Sequence, residues 1–202
     1  KLIQELKDRL SVLVDSFAYG NAIKNGVNTV IAGRPNAGKS TLLNALLNEE
    51  RAIVSNIPGT TRDTIEEKLQ IDGILYNFID TAGIRGATDE IEKIGVERAI
   101  SEVRRSDILL YVFDAKELTK EEVQEDLSKL ERSGVSTILL ANKAEGKTID
   151  AYASYCENHP VLSISAKQHL GLNEIRAELA KCVENISTES DTIVVNARHY
   201  DA

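Results

Sequence analysis

The sequence is most informative at first through what it lacks. Its 202 residues include no methionine and no tryptophan, only three prolines and two cysteines, and 4% aromatic residues. Cys156 and Cys182 are too few for a disulfide framework and lack the spacing of metal ligands. We therefore expect both to be inert thiols in a reducing compartment.

No apolar run is long enough to cross a bilayer, and no secretory leader opens the chain. These absences exclude membrane-spanning and secreted classes from the leading interpretations and favour a cytoplasmic domain. The missing methionine, with a start at Lys1 and an end at Ala202, suggests a fragment of a longer protein.

Acidic side chains outnumber basic ones, 32 to 24, for a formal net charge of -8. An acidic surface disfavours non-specific binding to nucleic acid, which depends on neutralising phosphates. Any role with RNA would therefore rest on a partner or on another part of the protein.

Short apolar runs alternate with segments of helical periodicity along most of the chain. The helical segments are 1–23, 40–47, 91–103, 119–132 and 172–183. The predicted strands are 28–32, 66–71, 75–79, 108–113, 135–141 and 161–164. Alternation of this kind indicates a mainly parallel α/β sheet with helices on both faces. Asp72-Gly73 is a strong two-residue hairpin signal and adds one antiparallel edge strand.

The chain is expected to divide into three parts. The amphipathic helix within 1–25 needs a partner surface for its apolar stripe. Residues 26–186 form the α/β domain. The chain then turns polar, so 187–202 is expected to be a linker and the start of a further element.

A phosphate-binding motif directly follows the first predicted strand. Gly33, Gly38, Lys39 and Ser40 satisfy G-x-x-x-x-G-K-[ST], the P-loop pattern. Backbone N–H groups of such a loop surround phosphate, the lysine reaches the β- and γ-phosphates, and the hydroxyl binds Mg²⁺. With the strand before it and the helix after it, the motif predicts a P-loop NTPase. Together with the segments described next, it predicts a Ras-like G domain.

Two further segments carry groups suited to phosphate and metal. Asp80 ends a buried strand and is followed by Thr81, Ala82 and Gly83. The carboxylate can hold Mg²⁺ through water, and the Gly83 N–H can contact the γ-phosphate. Thr60 and Thr61 lie in a loop where a hydroxyl could bind Mg²⁺ only while the γ-phosphate is present, although a plain turn is an equally good interpretation.

The base is expected to contact the ends of two later strands. Asn142-Lys143-Ala144-Glu145 stands where small GTPases usually carry Asn-Lys-x-Asp. Glu145 keeps the carboxylate that accepts from guanine but moves it by one methylene. Ser165-Ala166-Lys167 matches the last base-contacting loop. Each short string occurs often by chance, and only their order after these strands gives them weight.

Taken together, the motifs resemble the bacterial MnmE (also TrmE) family of tRNA-modification GTPases. The resemblance rests on matching stretches along nearly the whole chain: 16–26, 32–40, 50–55, 59–66, 80–85, 91–98 and 196–200. Only Glu145 departs clearly from the pattern. In that family the G domain is inserted between two halves of a helical domain, which would account for helix 1–23 and for 191–202.

The resemblance also implies a mechanism. Ile84 occupies the position where many GTPases place a water-orienting glutamine, and it has no polar atom. In the family, the residue that matches Glu92 acts on the attacking water when two G domains meet face to face. Asp89, Glu90 and Glu92 can equally be the acidic first turn of a helix. Arg62 and Arg85 are more simply solvated loop charges than arginine fingers.

Charge in the transition state needs a cation besides Mg²⁺, and the resemblance to the family implies that this cation is K⁺. The resemblance implies that Asn36 ligates it through the side chain, with backbone oxygens around Ser55, Ile57 and Thr60. It also implies a homodimer, an FAD-containing partner of the MnmG (GidA) type, and tRNA bound through the full complex. The expected contacts with GTP or GDP include the following residues: Asn36, Ala37, Gly38, Lys39, Ser40, Thr41, Ser55, Asn56, Ile57, Pro58, Gly59, Thr60, Thr61, Asp80, Thr81, Ala82, Gly83, Asn142, Lys143, Glu145, Ser165, Ala166 and Lys167.

Two other interpretations fit the same motifs. A ribosome-assembly GTPase of the Der or Era type shares most of the phosphate-binding residues. A nucleotide-sensing module with little hydrolysis would fit Ile84.

Overall fold

The computed structural model describes residues 26–50, 66–80, 99–145 and 149–189. Predicted helix 1–23, the predicted return at 191–202, the segments 51–65 and 81–98, and with the latter most of predicted helix 91–103, lie outside the described residues. The proposed division into three parts therefore stays a prediction.

The described residues form one six-stranded sheet in the order β2-β3-β1-β4-β5-β6. The strands are β1 (Val27–Ala32), β2 (Glu66–Ile71), β3 (Ile74–Asp80), β4 (Ile108–Asp114), β5 (Ser136–Asn142) and β6 (Val161–Ser163). All neighbouring pairs are parallel except β2 and β3. The predicted fold class, a parallel α/β sheet with one antiparallel edge strand, is confirmed.

The hairpin between β2 and β3 turns at Asp72 and Gly73, with φ of 50° and 84°. A two-residue turn of the twist-compatible type needs positive φ at both central positions, which Asp and Gly tolerate. The hairpin prediction is confirmed at these residues.

Helices cover both faces of the sheet. They are α1 (Lys39–Glu50), α2 (Lys120–Leu130) and α3 (Leu172–Glu189), and residues 99–103 are also helical. One apolar core joins the sheet to α1 and α3, and a second joins it to α2 and 99–103. Because both faces are covered, β4 is buried along its whole length, as its continuous apolar sequence predicts.

Helix ends differ from the sequence prediction by a few residues. The second helix begins at Lys120 because Thr119 is its N-cap, in a reciprocal capping box with Glu122. The first continues past Leu47 to Glu50.

A 3₁₀ segment, Ile149–Tyr155, has no periodic signal in the sequence. It is held by its aromatic rings: Tyr152 and Tyr155 lie 6.2 Å and 5.5 Å from the Phe113 ring. Cys182 is buried, and its burial raises the pKa of the thiol to about 11. Within the described residues, no helix is long and apolar enough to span a membrane.

Candidate functional site

The glycine-rich loop lies between β1 and α1 and packs tightly against the neighbouring strands. Gly33 has φ of 148°, and a Cβ there would collide with the carbonyl oxygen of Val112 on β4. Gly38 has φ of 97°, and its Cβ would collide with Nδ2 of Asn142. Both positions therefore require glycine for conformation and for space. This close approach packs the loop against β4 and β5 at the carboxyl end of the parallel strands, where α/β folds bind ligands.

Lys39 places a positive charge inside this loop. It is 8% exposed, and its Nζ donates to the carbonyl oxygens of Gly33 over 2.6 Å and Arg34 over 2.9 Å. The ammonium is thereby held over the loop at the N-terminus of α1, where the helix dipole also favours an anion. Ser40 and Thr41 are exposed in the same first turn.

Asn142, at the end of β5, connects the glycine-rich loop to the segment 165–167. Its buried side chain donates from Nδ2 to the Ala37 carbonyl oxygen over 2.7 Å. Its Oδ1 accepts from the Ala166 amide over 3.0 Å. The parallel strands place the predicted phosphate-binding and base-binding segments at one edge of the sheet, and the Asn142 side chain bonds to both.

Asp114, at the end of β4, organises the lysines that follow β4 and β5. Its Oδ2 accepts from Nζ of Lys143, and its Oδ1 accepts from the Lys116 amide over 2.9 Å. Burial alone would raise the pKa of Asp114, but the hydrogen bonds from Lys143 and the Lys116 amide outweigh it, so the pKa lies below its usual value. The carboxylate is therefore ionised and holds both lysines at the site.

Two side chains donate hydrogen bonds to the Glu145 carboxylate. Lys116 Nζ lies 2.6 Å from Oε2, and Ser165 Oγ donates to Oε1 over 3.1 Å. The pKa of Glu145 lies below its usual range, chiefly because of Lys116 and, more weakly, of Ser165. The carboxylate that replaces the usual aspartate is thus charged and already oriented.

Arg34 anchors the loop to α2. Its guanidinium donates from Nε to Asp126 over 2.8 Å and from Nη1 to Glu122 over 2.9 Å. Asp126 also accepts from the hydroxyl of buried Tyr111 over 2.6 Å. These carboxylates raise the pKa of Arg34 above its already high value, although burial opposes the shift. The loop is therefore fixed on one side by α2 and on the other by Asn142.

The structure describes four more of the predicted site residues, whereas others lie outside its described ranges. Asn36 is described, is exposed and has φ of 61°, and Ala37 is buried beside it. Asp80 ends β3 next to β1. Lys167 is exposed in a short 3₁₀ turn after Ser165. The following predicted site residues lie outside the described residues: Ser55, Asn56, Ile57, Pro58, Gly59, Thr60, Thr61, Thr81, Ala82, Gly83 and Glu92.

Sequence reasoning missed three side chains at this edge: Arg34, Asp114 and Lys116. Asp114 carried a usable signal, since a polar residue ending an apolar strand lies at the same edge as the P-loop. For Arg34 and Lys116 the partners are more than 25 residues away, and no local pattern indicates them.

Comparison with known proteins agrees with this geometry. Residues 28–143 match a family model described as 50S ribosome-binding GTPase. The tRNA modification GTPase MnmE of Cytophaga hutchinsonii is 44% identical over 203 residues and is matched by the whole of this chain. The MnmE of Clostridioides difficile is 42% identical over 98% of the chain. This chain belongs to the MnmE family. It is accordingly a member of a family of GTP hydrolases.

The chain spans under half the length of these MnmE relatives, 44% in both cases. Whole-chain similarity at this level favours the MnmE family over the Der or Era type.

Among solved structures, a variant of Aquifex aeolicus Era bound to GDP and aluminium fluoride is similar, with a TM-score of 0.60 and 27% identity. The similarity covers 77% of this chain and 56% of that one. The translation elongation factor SelB of Methanococcus maripaludis, in complex with the GTP analogue GppNHp, shares the fold at 20% identity and a TM-score of 0.57. The similarity covers 79% of this chain and 34% of that one.

Proposed function

We propose that this chain is the domain that binds and hydrolyses GTP in an enzyme that modifies the wobble uridine (U34) of tRNA. The observation that carries the proposal is the side chain of Asn142. It joins Ala37 of the P-loop to Ala166 beside the predicted base site. Phosphate and base sites in one rigid frame suit a nucleoside triphosphate rather than a simple phosphate.

Magnesium fits the residues at the start of α1. Ser40 follows Lys39 in the first turn of α1 and is exposed. A hydroxyl oxygen next to phosphate oxygens is the type of ligand that Mg²⁺ prefers. Ser40 and Thr61 would hold the ion, with Asp80 acting through water, and the ion would neutralise charge on the β- and γ-phosphates.

Guanine would be recognised by Glu145 and Ser165. An ionised carboxylate accepts two hydrogen bonds from the N1–H and the 2-amino group of guanine, which adenine cannot donate. The lowered pKa of Glu145, caused mainly by Lys116, keeps this acceptor charged. Lys143 would pack its alkyl stem against the base while Asp114 holds its ammonium.

Hydrolysis would depend on K⁺ and on pairing of two G domains. Asn36 is an exposed residue of the P-loop, and its side-chain amide oxygen is a suitable hard ligand for K⁺. Backbone oxygens near Ser55, Ile57 and Thr60 would complete the K⁺ site. Glu92 would orient water in place of the glutamine that Ile84 replaces.

The cellular setting follows from the family. A cytoplasmic homodimer would act with an FAD-containing partner of the MnmG type and would reach tRNA through that assembly. The acidic chain, with net charge -8, would contribute little to RNA affinity itself.

Nucleotide choice tests the first part of this proposal. Calorimetric titration of the chain with GDP and with ADP, both with Mg²⁺, should show GDP binding at least about a hundredfold more tightly, because unpaired polar groups penalise the wrong base. Lys39→Ala should weaken GDP binding by a similar factor, because charge-assisted hydrogen bonds to phosphate are lost. Equal affinity for GDP and ADP would refute guanine recognition, and an unchanged Kd in Lys39→Ala would refute the phosphate site.

A further inference from the structure

An ion pair between Lys116 and Glu145 sits at the site proposed for the base. The atoms Nζ and Oε2 are 2.6 Å apart, and Ser165 occupies the other carboxylate oxygen at 3.1 Å. Lys116 belongs to the turn after β4 and lies outside every nucleotide-binding motif of the sequence. Its partner is the one clear departure from the family pattern.

The backbone of Lys116 is held firmly although its side chain is 60% exposed. Its amide donates to Oδ1 of Asp114 over 2.9 Å. The preceding residue, Ala115, donates to the Asn142 carbonyl oxygen over 2.9 Å and accepts from the Tyr152 hydroxyl over 3.1 Å. The Lys116 side chain therefore starts from a fixed backbone position, from which its ammonium reaches Glu145.

A glutamate needs such support more than an aspartate does. Its carboxylate stands on one more rotatable bond, so more rotamer freedom is lost when the carboxylate binds a ligand. A donor that fixes the carboxylate beforehand removes part of that loss and increases affinity.

The two donors also leave the carboxylate able to bind guanine. Ionised Glu145 has about four lone-pair sites, and Lys116 and Ser165 each occupy one, on different oxygens. Each oxygen is thus engaged by only one of these two side chains, and the further donor, the Glu145 backbone amide, lowers the pKa less than either. Both oxygens can therefore also face the N1–H and the 2-amino group of guanine.

We propose that Lys116 is a positioning residue for guanine recognition: it orients the Glu145 carboxylate so that a glutamate performs the task usual for an aspartate. The inference rests on the proposed function, in which Glu145 accepts from guanine. It adds a specificity-determining residue in the turn after β4, outside the base-binding loops.

The test compares GDP with IDP, which lacks the 2-amino group. Calorimetry on the 202-residue chain gives the ratio of the IDP and GDP dissociation constants, which reports the contact with that group. Lys116→Ala should weaken GDP binding about two- to fivefold, the range for an exposed ion pair. It should weaken IDP binding less, so the ratio of the IDP to the GDP dissociation constant falls. Lys116→Arg should restore the ratio because it keeps the charge.

A double-mutant cycle separates positioning from other effects. In a Glu145→Ala background the ratio should approach one, and adding Lys116→Ala should leave GDP affinity unchanged. Lys129→Ala is the matched control: it removes an exposed lysine paired with Glu125 on α2 at 2.7 Å, and the ratio should stay at the wild-type value.

Three results would overturn the inference. An unchanged ratio in Lys116→Ala would show that Lys116 does not act through Glu145. Tighter GDP binding would show that Lys116 competes with the base. If Lys116→Ala weakens GDP binding as much in the Glu145→Ala background as in the wild type, the Lys116 charge acts directly on the nucleotide. A wild-type chain without preference for GDP over ADP would instead refute the proposed function itself.

Discussion

The side chain of Asn142 donates a 2.7 Å hydrogen bond to the carbonyl oxygen of Ala37, 105 residues earlier in the chain. The bond joins the end of β5 to the P-loop, and the same side chain accepts from Ala166. Asn142 is 3% exposed. Loss of this side chain would therefore leave a buried carbonyl and a buried amide without their partner.

Replacement of Asn142 by alanine should destabilise the chain by about 2–4 kcal/mol, the cost of two buried polar groups that lose their hydrogen bonds. Urea unfolding without nucleotide measures this directly. The matched control is Asn44→Ala on the exposed face of α1, which should change stability by no more than about 0.5 kcal/mol. Similar values for both variants would contradict the connecting role of Asn142.

Gly38 and Gly134 permit a comparison between space and backbone conformation. Both have positive φ, 97° and 82°, but only at Gly38 would a Cβ collide with another group, Nδ2 of Asn142. Gly134→Ala should cost about 1–2 kcal/mol from φ alone. Gly38→Ala should cost about 1–3 kcal/mol more through the collision, and it should weaken GDP binding, whereas Gly134→Ala should not. Equal unfolding free energies would refute the close approach of loop and strand.

The pairing of Asp114 with Lys143 predicts a pH-dependent stability. The folded-state pKa of Asp114 lies below its usual 3.8, so its contribution is present above that value and is lost as the pH falls through the folded-state pKa. The free energy of unfolding of the wild type should exceed that of Asp114→Asn by about 1–2 kcal/mol at pH 6. This difference should shrink below about pH 4.

Urea unfolding at several pH values measures that difference. Glu117→Gln, at an exposed position in the following turn, serves as the control and should stay within about 0.5 kcal/mol of wild type. A difference between wild type and Asp114→Asn that grows in acid would contradict the ion pair.

Local sequence patterns predicted most of the fold because they act through neighbours in the chain. The apolar run at 108–113 predicted a strand buried on both faces, and Asp72-Gly73 predicted the hairpin; both are confirmed. The segment Ile149–Tyr155 could not be predicted, because its conformation depends on packing against Phe113 and not on periodicity.

In the candidate site, too, local sequence patterns indicated some residues, whereas contacts between distant segments could not be predicted. Motif spacing indicated Lys39, Asn142 and Ser165, since each follows a predicted strand. The contacts that hold them come from distant segments: Arg34 reaches α2, and Lys116 reaches Glu145. A charged side chain on a loop has many potential partners, and only the folded arrangement selects one.

The central claim concerns how this domain hydrolyses GTP, and one kinetic comparison tests it most directly. GTP turnover should be measured in KCl and in NaCl at equal ionic strength, over a range of protein concentrations. The proposal predicts that KCl increases turnover at least about tenfold, because a correctly placed cation stabilises transition-state charge, and that the rate per molecule rises with protein concentration in KCl only. Equal rates in both salts, independent of protein concentration, would contradict the account.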